Sequence, residues 1–154
     1  EDAFKFAKMG GTIDLTCGES ESKFHSVADA VKKAKEEGVP MEKVTMSSDG
    51  QGSWSNYDAE GKLVEIGVSD VDTIYRQIVY MVKEENMDLE ELLAIGTKNP
   101  AMALELYPKK GAVKEESDAD ILIMNEDLSL DTVIAMGVPM MRDGKILKKG
   151  TYEK

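Results

Sequence analysis

The sequence predicts an α/β fold, with a parallel strand–helix–strand unit near the start, helices through the middle and short strands at the end. Three observations point to it. Thr12-Ile13-Asp14-Leu15-Thr16 and Lys43-Val44-Thr45-Met46-Ser47-Ser48 show the two-residue period of strands. Between them Val27, Ala30, Val31 and Ala34 recur at helical spacing, and short connections in that order imply a parallel pair. From about Gly111 onward, short apolar runs replace the helical pattern.

Taken in order, Phe4, Phe6, Ala7 and Lys8 before Gly10-Gly11 read as the last turns of a helix stopped by glycine. The first strand follows, and residues 18–23 read as a polar loop that continues to His25. The helix is expected over 27–37, with Lys32, Lys33, Lys35, Glu36 and Glu37 on its outer face and Gly38 as its stop. After the second strand come Asp49-Gly50-Gln51-Gly52-Ser53 and a turn-rich excursion around Asp58-Ala59-Glu60-Gly61. Ser69 and Asp72 have capping-box spacing ahead of a helix that places Val71, Ile74, Tyr75, Ile78 and Val82 on one face. A second helix is expected from Asp88, with Glu91 three residues on and Leu89, Leu92 and Leu93 inward. A third runs over 100–106, with Pro100 where a helix start tolerates it. Residues 121–124, 132–135 and 138–141 read as strands, and Asp143-Gly144 as a two-residue hairpin turn into Lys145-Ile146-Leu147. The change of texture puts a boundary near 107–111, dividing the chain into 1–108 and 109–154.

Composition narrows the function classes. The chain has 154 residues, 42% of them hydrophobic, enough for one ordinary core. A net charge of −11 argues against nucleic acid and against an anionic membrane surface, both of which need clustered Lys and Arg. No apolar run approaches the roughly 18–20 residues of a bilayer span. The start, Glu1-Asp2-Ala3-Phe4, has neither an initiator Met nor a signal-peptide pattern, so the chain is expected to be a piece of a longer one. The single Cys17 excludes an intrachain disulfide and fits a reducing cytoplasm. Its expected role is a small filler at a strand end, not a nucleophile.

Asp49 is the candidate for chemistry. In an α/β barrel, outward side chains pack under helices and inward ones fill the barrel or line the site at its top. Ile13 and Leu15 share one face, as do Val44 and Met46, so alternation puts Thr45, Ser47 and Asp49 on the opposite, inward face. Asp49 is the last of these, at the C-terminal end of its strand, where barrel enzymes keep catalytic residues. Two glycines follow, letting the backbone bend and a ligand approach. Asp49 also fits a plain turn cap, as Asp-Gly often does. A calcium-loop reading of 49–60 fails because Trp54 stands where that loop needs Gly. A phosphate-loop reading of Gly50-Gln51-Gly52 lacks the required Lys.

The segments Gly10-Gly11-Thr12-Ile13-Asp14-Leu15-Thr16 and Val44-Thr45-Met46-Ser47-Ser48-Asp49-Gly50-Gln51-Gly52-Ser53 resemble isoaspartyl dipeptidases of the metal-dependent amidohydrolase superfamily. The likeness continues through Gly61-Lys62-Leu63-Val64, Ile66-Gly67-Val68, Asn99-Pro100-Ala101, Asp118-Ala119-Asp120, Asp143-Gly144-Lys145 and Lys149-Gly150-Thr151-Tyr152-Glu153. The resemblance implies the C-terminal part of a (β/α)8 TIM barrel over 1–108 and the C-terminal strands of a small β-sandwich domain over 109–154. It implies a binuclear metal centre, usually zinc, and a homo-oligomeric parent. Asp49 matches the family Asp that binds metal and, as general base, takes a proton from the bridging hydroxide for the leaving amine. Ser53 matches the Ser that helps hold the α-carboxylate of the isoaspartyl dipeptide substrate.

The same resemblance implies that most of the site lies elsewhere. The family needs a His-x-His pair, two further metal-binding His, a bridging carboxylate and a substrate-binding Arg, none of which this chain supplies. Its single His25 is expected to be a surface or loop-packing residue without a metal role. The missing N-terminal part of the parent is therefore an expected partner, and the isolated chain is expected to be inactive. Two alternatives keep their place: another amidohydrolase, such as a dihydroorotase-like cyclic amidase, or a non-catalytic binding module with a degenerate barrel.

Overall fold

The structure is a computed structural model that describes residues 2–18 and 20–150. Residues 151–153 of the terminal Lys149-Gly150-Thr151-Tyr152-Glu153 segment lie outside the described residues. Helix α1 (Asp2–Lys8) leads into strand β1 (Ile13–Thr16), helix α2 (Glu21–Glu36) and strand β2 (Val44–Ser47). The two strands are parallel, with Ile13 opposite Val44, Asp14 opposite Thr45, Leu15 opposite Met46 and Thr16 opposite Ser47. This is the βαβ unit expected from the sequence, and the facing is as read. Val44 and Met46 belong to the core and Ile13 and Leu15 pack against it, alongside Val27, Ala28, Val31 and Ala34 of α2.

Helix α2 starts earlier than expected, and His25 lies within it, not in a loop. Ser20 caps this end, its Oγ accepting from the Lys23 N–H at 3.2 Å, so the polar stretch winds into a first helical turn. The single His is therefore a helical surface residue. Its Nδ1 lies 2.6 Å from Tyr80 Oη, and Glu85 beside it is ion-paired to Lys32.

The excursion after β2 is not only turns: it is an antiparallel hairpin of β3 (Ser53–Tyr57) and β4 (Leu63–Val68). The Asp58 carboxylate closes its turn, accepting from the N–H groups of Glu60 and Lys62. Helix α3 (Thr73–Lys83) has its N-cap at Asp72, three residues later than the expected Ser69, and Asp72 makes no side-chain cap bond. The Ser69 backbone is committed to the Asp49–Gly52 turn: its N–H donates to the Gly52 carbonyl and its carbonyl accepts from the Gln51 N–H. The buried face of α3 is Thr73, Gln77, Ile78 and Met81, while Val71 is exposed.

Helix α4 (Leu89–Gly96) is capped as its sequence implies, Asp88 Oδ1 accepting from the Glu91 N–H at 2.9 Å. Helix α5 (Lys98–Ala103) starts two residues before Pro100, which occupies its first turn, where a missing N–H costs nothing. Buried Asn99 on α5 donates through Nδ2 to the carbonyls of Met41 and Val44, each at 2.8 Å, and anchors the entry to β2.

The C-terminal strands β5 (Ile121–Met124), β6 (Leu130–Ala135), β7 (Val138–Arg142) and β8 (Lys145–Ile146) form one antiparallel sheet in chain order. Asp143-Gly144 makes the expected hairpin, with positive φ at both residues (50° and 68°), the geometry that suits a two-residue turn. Met136-Gly137 does the same between β6 and β7. Tyr75 Oη on α3 donates to the Leu128 carbonyl at 2.8 Å, joining this sheet to the helices. No helix among the described residues is long and apolar enough to cross a membrane.

Candidate functional site

Asp49 and Ser53 bracket the turn that links β2 to the hairpin, and both are exposed. Strand β2 ends at Ser47, so Asp49 lies beyond the alternation used to place it. Its φ is 50° and that of Gln51 is 64°, so the turn, not the strand's pleat, aims its side chain. The Gly52 N–H closes the turn on the Asp49 carbonyl at 2.8 Å, and the Gly50 N–H is taken by Ser48 Oγ at 3.0 Å. Ser53 is the first residue of β3 and pairs with Val68, whose side chain is exposed.

Gly52 has no room for a side chain, and Gly50 has little. A Cβ at Gly50 would stand 2.9 Å from Ser48 Oγ and from Val71 Cγ1; one at Gly52 would stand 2.8 Å from Asp49 Oδ1. The turn thus lies directly against the Asp49 carboxylate. Thr73, fully buried, sends its Oγ1 to the Ser48 carbonyl at 3.3 Å and steadies the residue before Asp49.

On the face of the β1–β2 pair opposite Val44 and Met46, Asp14 accepts hydrogen bonds from Thr45 Oγ1 at 2.7 Å and Ser47 Oγ at 2.5 Å. Neither Asp14 nor Thr73 is singled out by reading the sequence alone. For Asp14 the available signal is a charged residue on the inward phase of a strand that otherwise carries threonines there.

Cys17, at the end of β1, is buried, and its thiol is pushed up to about 12, by burial first and the nearby Asp14 charge second. A thiol held protonated is a poor nucleophile, in keeping with a filler role. Among the described residues no group of three or more His, Cys, Asp or Glu side chains is placed to hold a metal ion. One open carboxylate at Asp49 is a suitable donor, but these residues alone do not make a metal site.

The family model for the amidohydrolase family matches residues 4–147. Over 99% of its length the chain is similar to a solved β-aspartyl dipeptidase from thermophilic keratin-degrading Fervidobacterium islandicum AW-1, in complex with β-Asp-Leu dipeptide, at 36% identity and a TM-score of 0.82. A second structure of β-aspartyl dipeptidase from Fervidobacterium islandicum AW-1 matches at 32% identity over 99% of the chain, with a TM-score of 0.72. The chain spans 39% and 36% of the lengths of those two. N-acetylglucosamine-6-phosphate deacetylase from Pasteurella multocida covers 75% of this chain, and the chain 34% of it, at 18% identity and a TM-score of 0.57, a likeness of fold alone.

Proposed function

The chain belongs to the amidohydrolase family, and from that premise we propose that it is the C-terminal part of a metal-dependent hydrolase of isoaspartyl (β-aspartyl) dipeptides. The observation that carries this reading is the match over 99% of the chain to a β-aspartyl dipeptidase in complex with β-Asp-Leu. The open Asp49 carboxylate on a tightly turned loop is consistent with it. The deacetylase likeness, at 18% identity, favours no second substrate.

In this reading Asp49 is a metal ligand and the general base, and Ser53 contacts the substrate's α-carboxylate. Asp49 would be one donor to a bound metal, which we take to be a zinc pair, and that metal would lower the pKa of water enough to make hydroxide available near neutral pH. The Asp49 carboxylate accepts that water's proton and passes it to the departing amine, whose basicity would otherwise make it a poor leaving group. The α-carboxylate is present in both ground and transition states, so the Ser53 hydroxyl contributes chiefly to affinity. The remaining donors and the substrate-binding Arg come from the N-terminal part of the full-length protein, which completes the barrel beside β1 and β2. We take that protein to be a homo-oligomer, and the single buried thiol of Cys17 suits a reducing cytoplasm.

The test is hydrolysis by the full-length protein of β-Asp-Leu, α-Asp-Leu and a cyclic amide such as dihydroorotate, before and after treatment with a chelator. Chelator-sensitive cleavage of β-Asp-Leu alone is expected. Preferred cleavage of the cyclic amide, or no cleavage of any of the three, refutes the assignment.

A further inference from the structure

We propose that Asp14 is a positioning residue for Asp49, clamping the strand that delivers it. The proposal rests on the reading of Asp49 as the general base.

The parallel register sets Asp14 opposite Thr45, and its two carboxylate oxygens take one hydroxyl each: Oδ1 from Thr45 at 2.7 Å and Oδ2 from Ser47 at 2.5 Å. The clamp does not serve the hydrophobic core, which lies on the other face of the sheet with Val44 and Met46. The interior of an α/β barrel is ordinarily filled by bulky branched apolar side chains. A carboxylate and two hydroxyls there carry a desolvation cost once the barrel is closed, offset only if each group is bonded. Both hydroxyls are bonded to the carboxylate here, with the Ile13 carbonyl a second acceptor for Thr45 Oγ1 at 3.2 Å. Only Ser48 separates Ser47 from Asp49, and the Ser48 carbonyl is held from the helix side by Thr73. Asp14 therefore fixes the barrel-facing side of the hinge from which Asp49 springs, and Thr73 fixes the other.

The test uses the full-length protein with Asp14→Ala, Asp14→Asn and the double variant Thr45→Val/Ser47→Ala, which removes the same hydrogen bonds while leaving the carboxylate. Steady-state kinetics on β-Asp-Leu should show kcat lowered about 10- to 100-fold in Asp14→Ala, the range a displacement near 1 Å produces. KM should stay within about threefold. Asp14→Asn keeps one acceptor and should recover part of kcat, and the double variant should resemble Asp14→Ala. Crystal structures of wild type and variants give a readout independent of activity, with the Asp49 carboxylate displaced. An unmoved Asp49 in the variants, or kcat within about threefold of wild type, overturns the proposal. So does a loss confined to KM, which marks a substrate contact instead. Should Asp14→Ala fail to fold, the double variant decides by the same criteria. Wild-type protein inactive on β-Asp-Leu defeats the dipeptidase reading instead, and the position of Asp49 in the variant structures still decides for or against the clamp.

Discussion

Gly52 folds so closely against Asp49 that a Cβ added there would stand 2.8 Å from both the carboxylate Oδ1 and the carbonyl oxygen of Asp49. The contact is to backbone as well as side chain, so a methyl group cannot be accommodated by swinging one flexible group aside. Gly52→Ala should open the turn and move the carboxylate. Turnover in the full-length protein should fall about 10-fold or more, as small misplacements at a reacting centre do. The same substitution should cost about 1–3 kcal/mol of stability through overpacking. Kinetics beside a denaturant titration check both, and unchanged kcat would show that the turn does not position Asp49.

Asn99 is buried and donates through Nδ2 to the carbonyls of Met41, three residues before β2, and Val44, its first residue. Asn99→Ala leaves those carbonyls without this donor, a loss of about 1–3 kcal/mol. Urea unfolding of wild type and variant should show the midpoint lowered with the slope unchanged; equal midpoints would contradict the anchoring role.

Much of this architecture is legible from periodicity, because β1, α2 and β2 each carry an apolar face against one core. The last hairpin is legible because Asp143-Gly144 meets the φ requirement of its turn. The β3–β4 hairpin is not, because Ser53, Ser55 and Asn56 give β3 no apolar phase. Its cohesion is cross-strand, with Trp54 across Gly67 and Asn56 Nδ2 bonded to Glu65. The capping box at Ser69 fails for a tertiary reason, since the turn after β2 claims that backbone first. Of the candidate site, sequence brings Asp49 and Ser53 to one loop. The aim of Asp49 depends on a positive φ that alternation cannot anticipate, and the Asp14 clamp requires the inter-strand register.

Glu85 accepts from Lys32 Nζ at 2.5 Å and Tyr80 Oη at 3.1 Å, and these bonds, Lys32 foremost, hold its carboxyl below the usual range. A folded value below the unfolded one, about 4.3, gives stability that is complete above that pH. It is lost as pH falls through the folded value. Glu85→Gln should therefore melt below wild type at neutral pH, with the gap closing as pH drops below about 4. A constant gap across thermal melts from pH 3 to 7 would dissociate the ion pair from acid stability.

Ser53→Ala in the full-length protein should raise KM for β-Asp-Leu with kcat near wild type, because a ground-state contact is lost equally in the transition state. Initial-rate kinetics decide this, and a fall in kcat at unchanged KM would give Ser53 a different role.

In the proposed mechanism Asp49 carries the proton during hydrolysis. Asp49→Asn keeps the size of the side chain and removes its basicity. Measured by steady-state kinetics on β-Asp-Leu with the full-length protein, kcat should collapse by at least the roughly 10²–10⁴-fold that general acid–base catalysis contributes, far more than substrate affinity changes. A kcat within a few-fold of wild type would remove Asp49 from the chemistry.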